Sequence, residues 1–291
     1  MNDTTSEQSS GSFSDNTVKA ADTAPKVPSI PETFFVIAVT IGFIFFLAIL
    51  LGIISYFFYP LDIEILLVEA FIIVPAFIYV KVRGYSLLHV FRFNPIDRNQ
   101  LYITIAIAIS LIFVLNFIEN WIQSLPYPDW YNEITTTFES DIVEMFKIDT
   151  FYKFIVLFLA VVVFAAICEE MFFRGFIQQS FENRLSSVWA IFWTALMFSI
   201  LHPLSFLPIL LLALVIGIIS WRSNSIIPTI IIHGLNNGFS LFALNTSEEI
   251  QADPSLGINI PFFLFAISLV VLYFSLRYYF RITRMHEDTE E

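Results

Sequence analysis

Apolar runs about as long as a bilayer is thick recur along most of this chain, and they constrain its fold more than any other feature. Hydropathy places eight membrane helices, over roughly 33–59, 61–82, 101–122, 151–182, 186–203, 206–222, 225–245 and 259–282. Composition agrees. Of 291 residues 57% are hydrophobic and 14% charged, whereas soluble domains are nearer half apolar and a quarter charged. The expected fold class is therefore an all-α polytopic membrane protein with about eight transmembrane helices.

Residues 1–31 are rich in Ser, Thr, Asp and Pro and are read as a disordered tail with no signal-peptide pattern. The membrane domain then covers 32–284, and 285–291 form a second, acidic tail. The fourth helix, 151–182, is longer than a bilayer needs, so its end from Arg174 onward is expected to project beyond the lipid. Residues 123–150 contain "LPYPDW" and many acids and read as an external loop carrying an interfacial helix. No internal repeat stands out, which argues against a transporter built from inverted halves.

Orientation follows from the basic residues. With a cytosolic N-terminus, Lys19, Lys26, Lys81, Arg83, Arg92, Arg98, Arg174, Arg184, Arg222, Arg277, Arg281 and Arg284 fall inside, and only Lys147 and Lys153 outside. Both termini are thus expected in the cytosol and the protein in the cell membrane as a multi-pass chain. The net charge of −12 argues against a nucleic-acid partner. Cys168, the one cysteine, excludes an internal disulfide and reads as inert packing.

An ionisable group inside a spanning segment costs several kcal/mol unless paired or hydrated, so each is a candidate for function. These are Glu69, Glu169, Glu170, Arg174, His202 and His233, with the amides Asn236 and Asn237. Most fall in the fourth, fifth and seventh helices. Fifteen uncharged residues from Phe154 to Cys168 lead into "EEMFFR". Glu170 and Arg174 share a helix face and can pair. Glu169, turned about 100° away, is left as the unpaired carboxylate, which suits a general base or acid.

"FSILH" places Phe198 and His202 four apart on the fifth helix. Glu169 lies sixteen residues before Leu185, near the turn, and His202 seventeen after it. Antiparallel packing then sets carboxylate and imidazole at one level, where they can hold and deprotonate a water. "HGLNN" puts His233 and Asn237 four apart on the seventh helix, where they can stabilise an oxyanion, and Gly234 permits a close helix contact. Each group alone is also explained by an interhelical hydrogen bond, and the ordered combination carries the functional reading. Glu69, shortly before Pro75, has no spaced partner and reads as structural.

In this order, EExxxR, FxxxH and HxxxN, the motifs resemble those of the type II CAAX prenyl protease group, also called the CPBP or abortive-infection family of intramembrane proteases. The resemblance covers about 150–240, and every motif position matches: Glu169, Glu170, Arg174, Phe198, His202, His233 and Asn237. It implies an eight-helix fold with a conical cavity open to the cytosol and to lipid. It also implies that Glu169 and His202 activate water, that His233 and Asn237 form the oxyanion site, and that Glu170 and Arg174 support them. The family is often classed with metalloendopeptidases. Here HExxH is absent and asparagine is a poor zinc ligand, so no cofactor is favoured, with Zn²⁺ as the alternative.

The leading function is an intramembrane endopeptidase that cuts a peptide or protein tail entering from the cytosolic side or from lipid. The chain's shortness and the lack of an endoplasmic-reticulum retention signal point to a bacterial source. The alternatives are a non-catalytic scaffold or bacteriocin-immunity protein of the same fold, and a proton-coupled transporter relaying protons through Glu69 and Glu169. Substrate identity and oligomeric state are not written in the sequence.

Overall fold

A computed structural model describes residues 26–57, 63–246 and 259–283. Most of the N-terminal tail, including Lys19, and the whole C-terminal tail, together with Arg284 before it, lie outside the described residues. In chain order the helices are α1 (Ile30–Phe57), α2 (Glu64–Phe71), α3 (Val74–Val82), the single turn α4 (Leu87–Val90), α5 (Arg98–Gln123) and α6 (Asp129–Phe146). There follow α7 (Phe151–Glu182), α8 (Ser187–Ile200), α9 (Phe206–Ser223), α10 (Ile227–Thr246) and α11 (Phe262–Ile282). Among the described residues there is no strand, and seven helical segments are long and apolar enough to cross a membrane. The protein is an all-α polytopic membrane bundle.

The expected fourth, fifth and seventh membrane helices are α7, α8 and α10. The second is α2 and α3 together, interrupted ahead of Pro75, which stands at the first turn of α3. α5 begins with a capping box, the Asp97 carboxylate accepting from Gln100 N–H and the Gln100 side chain accepting from Asp97 N–H. The interfacial helix expected in 123–150 is α6, amphipathic and acidic on its polar side.

α8 differs from expectation. Its 14 residues span only about 21 Å, short of a bilayer's hydrocarbon core. Pro203 is the reason: the residue before a proline is driven out of the helical region, and His202 sits at φ −123°, ψ 62°. α8 and α9 form an antiparallel hairpin in which Gly217 meets Ile191. The hairpin returns the chain to the face it left, so the even parity of the other crossings survives.

The end of α7 beyond Arg174 does not stand free. Arg174, Phe176, Ile177, Gln178 and Ser180 are buried, and a Cβ on Gly175 would sit 2.9 Å from the Phe91 Cα. The segment around α4 covers this end, with Arg92 bonded to Glu182 and the Gln179 amide donating to the His89 carbonyl. α10 runs antiparallel to α7: His233 meets Glu170, Asn237 meets Val161, and Asn245 meets Phe146 and Ile148.

Candidate active site

α7 is not a regular α-helix. π-helical stretches over Phe158–Phe164 and Met171–Gln178 flank the α-helical turns Ala165–Glu170. Such widened turns redirect side chains and recur at functional sites. Here they bracket the two glutamates.

Glu170 and Arg174 pair as expected, Nη1 to Oε1 at 2.8 Å, both wholly buried. The same Oε1 accepts from His233 Nδ1 at 3.0 Å. A carboxylate on Nδ1 fixes the ring and turns Nε2 toward the cavity. Nε2 lies 3.8 Å from Glu169 Oε2, which has no hydrogen-bond partner although buried. The imidazole that approaches Glu169 is thus His233 on α10.

His202 lines the same cavity but belongs to the tip beyond α8. Its Nδ1 is bonded to the Phe198 carbonyl at 3.0 Å, which leaves Nε2 for the cavity. Phe198 explains the apolar member of the FxxxH pattern. Its ring lies 4.8 Å from the His202 ring, 5.8 Å from the His233 ring and 4.5 Å from the Arg174 guanidinium. One aromatic side chain holds the two histidines and the arginine in register, its face receiving the cation.

Asn237 Nδ2 donates to the Val161 carbonyl at 3.0 Å, inside the first π-helical stretch. One N–H of this amide is thereby spent on helix contact, and one is left. Gly234 sits where a Cβ would lie 3.2 Å from Val162 O, the close approach that its position in "HGLNN" predicts.

Glu69 is the residue that spacing did not reveal. Its carboxyl stands beside that of Glu169, near enough for a hydrogen bond between them once one carries a proton, and it lines the same cavity. Glu69, which has no spaced partner within its own helix, thus has one across the bundle. Its partner lies on another element, so no spacing within one helix could signal it. Cys168 packs buried against α2, with Sγ 3.9 Å from the Ala70 carbonyl. Asn236 is not part of the cavity wall.

The cavity holds about 370 Å³ and brings together Glu69, Glu169, His202, His233 and Asn237. Its remaining wall is mostly apolar: Val161 and Ala165 on α7, Leu241 and Leu244 on α10, Ile142 and Phe146 on α6. Among the described residues no three His, Cys, Asp or Glu side chains converge as a metal cage.

Residues 151–239 match the family described as type II CAAX prenyl endopeptidase Rce1-like. No curated protein and no solved structure matches the chain. The three spaced motifs all lie within the matched span, and their polar groups meet at one cavity, apart from the buried Glu170–Arg174 brace behind it. Over residues 151–239 this multi-pass membrane protein is similar to the type II CAAX prenyl endopeptidase Rce1-like family.

Proposed function

We propose that the protein is an intramembrane endopeptidase that hydrolyses a peptide bond with a water activated by Glu169. The observation that carries this reading is the convergence of Glu169, His202, His233 and Asn237 on one mostly apolar cavity. Glu169 takes a proton from water, aided by His202 Nε2, and the oxygen attacks the peptide carbonyl. The oxyanion that develops meets the free N–H of Asn237 and His233 Nε2 when that atom carries a proton. Glu170, itself braced by Arg174, holds the His233 ring. Glu169 then passes its proton to the leaving amine, and two peptide ends separate.

The apolar wall favours a substrate segment with apolar side chains, unwound from any helix so that its carbonyl can reach the floor. The test is comparative peptidomics of membranes from cells with wild-type protein and with Glu169→Gln. The expected result is a peptide end present with wild type and absent with the variant. Identical peptide ends in both overturn the endopeptidase reading. The Glu69–Glu169 contact is also what a proton relay in a transporter requires, and that alternative yields no variant-dependent peptide ends.

A further inference from the structure

The resemblance implies a cavity open to the cytosol. The direction in which this cavity runs can be read from its walls. Along α7 they ascend from Glu169 through Ala165 to Val161, toward the helix start at Phe151. Along α10 they ascend from His233 through Asn237 and Leu241 to Leu244, toward the helix end at Thr246. Ile142 and Phe146 of α6 stand at that same end. The Asn245 side chain ties the exit of α6 to α10, donating to the Phe146 carbonyl at 3.1 Å and accepting from Ile148 N–H at 2.7 Å. The mouth is therefore on the face of the bundle that bears α6.

Below the floor the bundle is closed. Phe173, Phe176, Arg174 and Gln178 are all buried there, and the Gln178 amide is bonded to both Gly217 O and Glu182. The face beyond this plug carries Lys81, Arg83, Arg92, Arg98, Arg184, Arg222, Arg277 and Arg281, whereas the α6 face carries Lys147 and Lys153. A bundle orients its basic loops toward the cytosol. With the basic face in the cytosol, a mouth on the other face opens away from it.

We infer that the cavity is entered from the non-cytosolic side, beside α6, and that the peptide bond cut lies in an apolar segment presented from that side. The second half rests on the endopeptidase reading, and the first half stands without it.

The test uses the full chain with Cys168→Ala, which removes the one native cysteine. Single cysteines are introduced as Ser240→Cys and Leu244→Cys at the mouth and as Leu88→Cys, 68% exposed, on the basic face. A membrane-impermeant sulfonated maleimide is applied to intact cells and to inverted vesicles. Ser240→Cys and Leu244→Cys are expected to label in intact cells, and Leu88→Cys only in inverted vesicles. Mouth cysteines that label only in inverted vesicles, or in neither preparation, overturn the inference, as does Leu88→Cys labelling in intact cells. Labelling needs no turnover. A variant that also carries Glu169→Gln should label identically, so this result and the peptidomics result fail independently.

Discussion

Glu170 Oε1 accepts from two donors on two helices, Arg174 at 2.8 Å and His233 at 3.0 Å. Arg174 has little else: its Nε and second Nη are buried without hydrogen-bond partners, and the Phe198 face completes its surroundings. Removing the carboxylate charge therefore strands a buried guanidinium. Breaking such a pair from one side costs on the order of 3–5 kcal/mol. Glu170→Gln should accordingly lower the melting temperature in detergent as well as activity. Adding Arg174→Met should recover part of the lost stability, because no unpaired charge is then left. Glu169→Gln is the contrast. It keeps volume at a position that has no ion-pair partner closer than 3.8 Å, so the melt should hold while cleavage falls by about a hundredfold or more. An early melt for Glu169→Gln, with a stable but inactive Glu170→Gln, would reverse this division of roles.

α7 and α10 make the site by packing closely, and Gly234 sets how closely. Even a bare Cβ there would press on Val162 O at 3.2 Å. A larger side chain must push α10 away, and with it His233 and Asn237. Gly234→Leu should cost about 1–3 kcal/mol as overpacking and largely abolish cleavage, with Gly234→Ala much milder. Parallel thermal melts and cleavage assays check this, and a fully active Gly234→Leu would refute the close-packing role. How far these elements were legible in the sequence depended on the range of each signal. Glu170 with Arg174, and the glycine between His233 and Asn237, are written within one helix. The levelling of Glu169 with His202 needed only two helices and a short turn, and it correctly put both at one cavity. The same count took α8 to run on through His202, although Pro203 ends it. The π-helical stretches of α7 leave no periodic mark, and Glu69 reaches Glu169 across elements far apart in the chain.

At the scale of the whole molecule, helices in lipid gain no hydrophobic drive from one another and rely on close packing and interhelical hydrogen bonds. This bundle has both. One apolar cluster joins α3, α4, α7 and α8 around Phe91, Phe176 and Phe198, and a second joins α5, α9, α10 and α11 around Ile107, Ile216 and Tyr279. Small residues bring backbones together at Gly175 on Phe91, Gly217 on Ile191 and Gly234 on Val162. The polar links between distant segments run through protein groups: Arg92 to Glu182, Gln178 to the Gly217 carbonyl, Ser205 to Glu119, Asn237 to the Val161 carbonyl. At the site, His202 spends Nδ1 on its own helix and His233 spends Nδ1 on Glu170. The proposed mechanism assigns activation of the attacking water to Glu169 and His202 without a metal. Strong chelation of purified protein should therefore leave its detergent melting curve and its cleavage rate unchanged, and elemental analysis should find zinc well below one ion per chain. A melt and a rate that fall together on chelation, and recover together when zinc alone is returned, would overturn the assignment of the attacking water to Glu169 and His202 without a metal. A fall in rate with the melt unchanged would confine that correction to the chemistry and leave the packing account standing.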